Sequence, residues 1–380
     1  MPPPERVLIC ALSGRALAEA ARAAGYAPIV LDAFGDLDTR EAAVAWQRIP
    51  ITRHWLLRRR PLLAAAARLA PPPIPLVWGS GFERAPGLLA ELSAGRELWG
   101  CDAETVRALK DPRGFSATAR GLGVPHPEVR FSRPRAATGW LVKRAGSAGG
   151  GHVRAASTRP PAGRGWYWQR RAPGTPHSAF MVGNGRDARV LGLGRQLVAP
   201  ASGRPFRFGG TLAPVSLAPV PARRASDAAA ALAAHYRVRG LASVDLLVHG
   251  DEIVVLELNP RPGASLDAQR RSLGCDLFAI HVAACRGEQF LDVTGTRDTF
   301  ASLIVHVDRS LVVPEGLTWP DWAADRSPSG TRIPRGGPVC TVLSEGEDAR
   351  TVERSLQARA ERVLAIMGAG NHADRRAVSA

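Results

Sequence analysis

The chain has 380 residues, of which 45% are hydrophobic and 22% are charged, as in ordinary globular proteins. This length is sufficient for two or three compact domains around a sizeable core. No apolar run approaches the roughly 18 residues that a membrane-spanning helix requires, and the apolar segment after the N-terminus is too short for the core of a signal peptide. We therefore expect a cytoplasmic protein without a membrane partner.

The net charge of +16 raises the possibility of a nucleic-acid partner. The basic residues are spread along the whole chain, however, and the densest run, residues 58–60, contains no interleaved aromatic side chain. This distribution argues against nucleic acid and favours small polyanionic substrates.

Lysine is almost absent from this basic chain. Of the 50 basic residues only Lys110 and Lys143 are lysines. An ammonium group is a compact point charge on a flexible stem, which suits contact with phosphate oxygens inside a narrow cleft better than a planar guanidinium does. The pattern therefore indicates that both lysines have a chemical role.

The N-terminal residues follow a strand–helix–strand pattern. An apolar run at residues 7–12 predicts a strand, residues 16–24 a helix and residues 28–32 a second strand, which is the start of a parallel α/β sheet. Another strand is predicted at residues 74–78, directly before the loop Gly79–Glu83. Loops at the carboxyl ends of parallel strands are where such sheets bind ligands. We assign residues 1–103 to this first domain.

A second module is predicted for residues 104–300, after a helix that carries Lys110 near its end. Its strands are predicted at residues 140–143, 167–172, 179–182, 190–193, 243–248 and 253–258, and its helices at residues 226–236 and 277–285. Asn184-Gly185 between two apolar runs predicts a hairpin turn. Residues 301–368 are expected to complete this module or to form a small β/α extension, and residues 369–380 a frayed tail.

The strongest chemical pattern lies on the last predicted hairpin. Counted outward from the turn, Asp245 and Glu257 can face each other across the two strands, so both carboxylates are expected on one face. Asn259 and Arg261 follow Glu257 at intervals of two residues and share that face. Two carboxylates and an amide oxygen suit Mg²⁺ bound to phosphates, and Arg261 suits a phosphate or transition-state contact.

A strand at residues 140–143 delivers Lys143 into a glycine-rich turn at residues 146–151. Such a turn can fold over phosphates because its backbone N–H groups are free to donate. Further along, the strand at residues 167–172 ends in Pro173-Gly174 and can present backbone groups to the edge of a base.

The order of these features resembles the ATP-grasp superfamily over residues 5–345, with the biotin carboxylase-like and amino-acid ligase members as the closest kin. The most specific part is the D-x11-E-x-N-x-R pattern of residues 245–261. The resemblance implies an α/β ATP-grasp fold with an N-terminal Rossmann-like parallel-sheet domain. It also implies ATP and Mg²⁺ as cofactors, with Mn²⁺ as a substitute.

The resemblance also implies roles for individual residues. Lys110 and Lys143 would hold the ATP phosphates, and Arg261 and Lys143 would serve the acyl-phosphate step. The remaining implied residues form a flap, an adenine hinge and a metal site: Gly146, Ser147, Gly149, Gly150 and Gly151; Gln169, Arg170 and Ala172; Asp245, Glu257 and Asn259. Gln169 is a departure, because many members have Glu at this position.

Three further segments, residues 79–83, 174–178 and 337–342, look like a branch of the superfamily found beside one-carbon pterin and furan cofactor genes of methylotrophs. The implied activity is that of an ADP-forming carboxylate–amine ligase. It would act on a small carboxylate and an amine, in one-carbon cofactor biosynthesis of the methanopterin or methanofuran type. A homodimer is the default expectation for its assembly.

Two alternatives of other classes stay open. A non-catalytic, ATP-binding regulatory protein would have an incomplete set of magnesium ligands. A basic nucleic-acid-binding protein would have clustered Lys and Arg side chains with aromatic residues, and its binding would depend strongly on salt.

Overall fold

A parallel sheet forms the N-terminal part of the computed structural model, which describes residues 4–52, 54–157, 165–290, 293, 295–296 and 298–368. Its elements are β1 (Arg6–Cys10), α1 (Arg15–Ala23), β2 (Ala27–Asp32), α2 (Leu37–Ala42), β3 (Ala45–Arg48), α3 (Arg59–Leu69), β4 (Leu76–Trp78), α4 (Pro86–Ser93) and β5 (Leu98–Trp99). The strands run parallel in the order β3-β2-β1-β4-β5. The predicted parallel-sheet domain is therefore confirmed.

The order of this sheet reverses between β1 and β4, and their carboxyl-terminal loops lie side by side. Val7, Leu8, Ile9 and Cys10 are all fully buried, as expected for a strand covered on both faces. After β1 the chain forms β2 and β3 on one side and then returns to form β4 on the other. The reversal opens a crevice at the carboxyl ends of the strands, the usual ligand position in open α/β sheets.

Two short helices and a small antiparallel sheet follow. These elements are α5 (Ala103–Leu109), α6 (Pro112–Gly121), β6 (Val129–Arg130), β7 (Trp140–Arg144), β8 (Arg154–Ala155) and β9 (Trp166–Arg170), with the strand order β6-β9-β7-β8. Asp102 caps the start of α5 by accepting from the N–H of Thr105, and Asp111 caps α6. The two caps fix the junction between the helices, where Lys110 lies.

A large antiparallel sheet forms the rest of the chain. Its elements and those packed on it are β10 (Thr175–Asn184), β11 (Ala188–Val198), β12 (Phe208–Ala213), α7 (Pro219–His235), β13 (Arg239–His249), β14 (Glu252–Asn259), α8 (Leu266–Leu273), α9 (Leu277–Cys285), β15 (Thr299–His306), β16 (Leu311–Val312), β17 (Ala323–Ala324), β18 (Arg332–Ile333), β19 (Pro338–Gly346) and α10 (Ala349–Ile366). The strand order is β14-β13-β10-β11-β12-β15-β19-β17. Both predicted hairpins are present, at Asn184-Gly185 and between β13 and β14.

The proposed domain limits at residues 103 and 300 stay predictions. Strands from both sides of residue 300 pair in the large sheet, because β12 is hydrogen-bonded to β15. The predicted frayed tail at residues 369–380 lies outside the described residues. Among the helices that the structure describes, none is both long and apolar enough to cross a membrane.

His281 connects the parallel sheet to the large sheet. Its Nδ1 accepts from the N–H of Leu241 at 2.8 Å, and its Nε2 lies 3.1 Å from the carbonyl of Trp99 in β5. This pairing requires the neutral ring with the proton on Nε2, and burial lowers the pKa of His281 to about 4. Because residues of both sheets pack in shared clusters around α9, the core is continuous from the parallel sheet to the large one.

Candidate functional site

A cleft of about 1400 Å³ contains most of the predicted site residues. Its walls come from the β6–β9 sheet, the large sheet and the loops that follow β1, β2 and β4. The predicted residues that line it are Lys143, Gly146, Ser147, Gly149, Gly150, Gly151, Gln169, Arg170, Ala172, Asp245, Glu257, Asn259 and Arg261. Lys110 does not line the cleft itself but reaches it through the hydrogen bonds described below.

The paired acids lie where the hairpin pattern predicted them. Asp245 of β13 and Glu257 of β14 are direct partners in the ladder, and Asn259 lies two residues further along β14. Burial raises the pKa of Asp245, and the negative charge of Glu257 raises it further. Two carboxylates facing one poorly solvated cleft repel each other, so the arrangement requires a cation close by.

Lys110 supplies a positive charge to this acid pair. Its Nζ donates to Glu257 Oε2 at 3.2 Å, to Asn259 Oδ1 at 2.9 Å and to the carbonyl of Leu258 at 3.1 Å. Burial alone would raise the pKa of Glu257, but the ammonium groups of Lys110 and Lys143 outweigh that effect and lower it. Lys110 therefore contacts oxygen atoms of Glu257 and Asn259, two of the three residues that the sequence predicted as metal ligands.

Lys143 lies in β7, opposite the acid pair, and its side chain is almost fully buried. Its Nζ donates to Gln169 Oε1 of the neighbouring strand β9 at 3.1 Å. Burial lowers the pKa of Lys143, and the charges of Glu257 and Asp245 oppose this shift. Within the described residues the Nε2 of Gln169 is buried without a hydrogen-bond partner, so this amide has a donor free for a molecule in the cleft.

The glycine-rich turn closes over the cleft and contacts the loop that leads into β12. The carbonyl of Gly149 accepts from the N–H of Phe208 at 2.9 Å. Gly149 and Gly150 have φ values of 71° and 67°, in the left-handed region that favours glycine. A Cβ at Gly150 would lie 1.8 Å from the carbonyl oxygen of Phe206, so this contact needs glycine for space as well as for conformation.

Arg261 is held by a residue of the parallel sheet. Its Nε donates to Glu83 Oε1 at 2.8 Å, and the other carboxylate oxygen of Glu83 accepts from the N–H of Gly81 at 2.8 Å. The side chains are 9% and 3% exposed, so this is a buried ion pair. Burial raises the pKa of Glu83, but the charge of Arg261 outweighs it and lowers the pKa. The loop after β4 thus orients the arginine that β14 delivers.

Two further residues of the site were not predicted. Gln196 of β11 donates from Nε2 to Asp245 Oδ1 at 2.8 Å, and no sequence pattern marked it. Glu83 lies in a glycine-flanked loop that the sequence did single out as a ligand loop, but its partner Arg261 is 178 residues away. Contacts of this kind depend on tertiary packing, which a local pattern does not encode.

Residues 115–265 match the family model of the ATP-grasp domain. A single-chain, multi-domain long-chain acyl-CoA carboxylase has a similar structure, with a TM-score of 0.70 and 17% identity over 95% of this chain and 39% of that chain. N5-carboxyaminoimidazole ribonucleotide synthetase, in complex with ADP, has a TM-score of 0.68 and 13% identity over 97% of this chain and 99% of that one.

A third similar structure is the biotin carboxylase domain dimer of 2-oxoglutarate carboxylase from Hydrogenobacter thermophilus, in complex with MgADP, ADP and bicarbonate. It has a TM-score of 0.72 and 10% identity over 93% of this chain and 89% of that chain. No curated protein sequence matches this chain.

The parallel sheet, the β6–β9 sheet and the large antiparallel sheet together form the ATP-grasp fold. Residues 115–265 therefore contain an ATP-grasp domain, and the chain has the ATP-grasp fold that its sequence predicted. The identities to the solved structures are low, so these likenesses concern the fold, and the chain spans only 39% of the length of the long-chain acyl-CoA carboxylase.

Replacing Glu83 by Gln should destabilise the protein because it leaves Arg261 as a buried charge without its counter-ion. We expect the free energy of unfolding in urea to fall by about 3 kcal/mol. The matched control is Glu91→Gln, which breaks the pair between Arg59 and Glu91, whose side chains are 61% and 41% exposed, and which should leave the free energy of unfolding nearly unchanged. Equal losses in both variants would contradict the buried-pair assignment.

Replacing Gly150 by Ala should prevent the glycine-rich turn from closing onto Phe206, because the new Cβ has no space. Gly149→Ala is the matched control, since Gly149 has the same backbone conformation but no atom within 4 Å of an added Cβ. We expect hydrogen exchange at residues 146–151 to rise at least about tenfold more in Gly150→Ala than in Gly149→Ala. Similar exchange in the two variants would mean that the contact with Phe206 does not hold the turn.

Proposed function

We propose that the chain is a magnesium- and ATP-dependent ligase that activates a carboxylate as an acyl phosphate for attack by an amine. One observation carries the proposal: the two lysines of this basic chain both act on Glu257, one by a direct ion pair and both by their charge. Glu257 is also the direct ladder partner of Asp245. Such a site offers negative oxygen ligands for a metal and ammonium groups for phosphates in the same cleft.

Asp245, Glu257 and Asn259 would hold Mg²⁺. Their oxygen atoms are hard donors on one face of the hairpin, and the repulsion between the two carboxylates favours binding of a cation. Within the described part of the chain no group of three or more His, Cys, Asp and Glu side chains is placed to hold a metal, so the set consists of two carboxylates and an amide. When bound, Mg²⁺ would neutralise the charge of the ATP phosphates.

The remaining site residues would hold the nucleotide. Lys143 would bind phosphate oxygens, and the ammonium of Lys110 would turn to them once a metal neutralises Glu257. The glycine-rich turn at residues 146–151 would cover the phosphates with its N–H groups. The hinge, Gln169–Ala172, would meet the adenine, and the unpartnered Nε2 of Gln169 supports a polar contact there.

The chemistry consists of two displacements. A carboxylate oxygen of the substrate attacks the γ-phosphorus, the bond to the β,γ-bridging oxygen breaks, and ADP leaves an acyl phosphate behind. The amine nitrogen then attacks the acyl carbon, phosphate leaves, and the nitrogen loses a proton to give the amide. Arg261 and Lys143 would stabilise the charge on the transferring phosphoryl oxygens, so the protein contributes mainly position and charge.

The ligands of two similar structures support this assignment, since one structure contains ADP and the other contains MgADP, ADP and bicarbonate. We therefore include bicarbonate among the candidate carboxylate substrates. Biosynthesis of a methanopterin- or methanofuran-type cofactor and assembly as a homodimer stay predictions. A non-catalytic ATP-binding role is the second candidate, and it is favoured if nucleotide binds without turnover.

Release of ADP in the presence of Mg²⁺ and ATP tests the proposal, with Mn²⁺ as the substitute metal. The panel pairs glutamate, bicarbonate and one-carbon cofactor intermediates with primary amines. Wild-type turnover should require both partners, and Glu257→Gln should lower kcat at least about 100-fold. Glu252→Gln, on the same strand but exposed and paired with Arg224, should keep wild-type activity. Turnover without an amine, or full activity of Glu257→Gln, would overturn the assignment.

A further inference from the structure

A second cluster of charged side chains lies on the side of the cleft formed by the parallel sheet, and Asp325 is its member in the cleft wall. Its centre is Arg15, which is 2% exposed and lies 2.6 Å from Asp267, 3.1 Å from Asp325, 3.2 Å from Glu19 and 3.9 Å from Asp38. Within the described residues this one guanidinium is therefore shared among four carboxylates. Arg270 lies 3.9 Å from Glu19 and Arg326 lies 3.8 Å from Asp38. The four carboxylates still outnumber these three guanidinium groups, although the chain as a whole is strongly basic.

Asp36 is a fifth carboxylate beside this cluster, and it has no cation of its own. It is 3% exposed and lines the cleft. In the part of the chain that the structure describes, no hydrogen bond or ion pair reaches its carboxylate. Burial raises the pKa of Asp36 well above its usual range, and the charge of Asp325 raises it further. A buried carboxylate without a partner is costly, so a group that binds there should be positively charged.

Asp325 differs from Asp36 because its carboxylate is fixed from several sides. It accepts from Ser13 Oγ at 3.1 Å, from Arg15 at 3.1 and 3.2 Å, and from Thr341 Oγ1 at 2.6 Å. These contacts favour the ionised form and lower the pKa of Asp325 although burial opposes them. One fixed, charged carboxylate and one unpartnered carboxylate thus line the same part of the cleft.

Aromatic side chains lie beside the acids. Phe34 lies two residues before Asp36, and its ring centroid is 6.2 Å from that of Trp55. Both rings line the cleft together with Leu12. Aromatic faces attract organic cations, whereas hard metal ions are bound through oxygen ligands. The surroundings therefore favour an organic ammonium group with an apolar or aromatic substituent.

We propose that Asp36 and Asp325 bind the ammonium group of the amine substrate, and that Phe34 and Trp55 hold its apolar or aromatic substituent. This inference rests on the proposed ligase function and names the amine subsite. The charges of the rest of the cleft agree with it, because Arg84, Arg204 and Arg207 line other parts of its wall and would suit anionic groups. An ammonium has three N–H donors, which is enough for a hydrogen bond to each carboxylate.

Binding of phenethylamine to the full chain, measured by calorimetry, tests the proposal without any need for turnover. The wild-type protein should bind phenethylamine, while the neutral isostere 2-phenylethanol and the anion 3-phenylpropionate should bind at least about tenfold more weakly. Asp36→Asn should weaken phenethylamine binding by about tenfold or more. The matched control is Asp38→Asn, two residues away in α2 and absent from the cleft wall, which should change binding less than about threefold.

Equal binding of phenethylamine by Asp36→Asn and wild type, or equal binding of 2-phenylethanol and phenethylamine by the wild type, would overturn the proposal. Binding of Mg²⁺ or Mn²⁺ alone that disappears in Asp36→Asn would assign the acids to a metal and would also overturn it. The comparison of phenethylamine, 2-phenylethanol and 3-phenylpropionate uses only the wild-type chain. It therefore tests the amine subsite even if a variant fails to fold. Binding of MgADP is measured in parallel. A chain that does not bind MgADP would contradict the proposed ligase. A chain that binds MgADP but not phenethylamine would contradict the amine subsite alone.

Discussion

Two carboxylates that face the same cleft from paired positions of a hairpin set the electrostatic requirement of the whole site. Asp245 and Glu257 cannot both be ionised in a poorly solvated place unless positive charge lies close to them. Lys110 meets this requirement by an ion pair with Glu257, and Lys143 meets it at longer range. The lysines carry a compact charge on a flexible stem, and we propose that Lys110 exchanges Glu257, and Lys143 exchanges Gln169, for a phosphate. This proposal accounts for the presence of lysine at these two positions in a chain that otherwise uses arginine.

The parallel sheet has a direct part in the site. Its loop after β4 provides Glu83, which orients Arg261, and its loops after β1 and β2 provide Ser13 and Asp36. The neutral ring of His281 joins β5 to β13 and keeps the sheets in one arrangement. The cleft therefore has a mainly basic wall near the glycine-rich turn and an acidic wall at the parallel sheet. The proposed ligase would bring an anion and a cation together, and it would need walls of both kinds.

The fold and much of the cleft could be predicted from the sequence, because the relevant signals are local. The hairpin that pairs Asp245 with Glu257 follows from alternation and a short turn, and the glycine-rich turn after Lys143 follows from composition. The partners of these residues could not be predicted in the same way. Gln196 contacts Asp245 from another strand, and Lys110 bonds to Glu257 where the sequence predicted a phosphate contact. Such contacts arise only when distant segments pack together.

Calorimetric binding of ADP with and without Mg²⁺ tests the central claim most directly, since it asks whether the acid pair and the two lysines form one metal–nucleotide site. The account predicts that ADP binds at least about tenfold more tightly with Mg²⁺ than with EDTA. It also predicts that Lys143→Met loses most of the affinity for MgADP, because the cleft then lacks a buried ammonium for the phosphates. Binding of ADP that is indifferent to both Mg²⁺ and Lys143 would contradict the account.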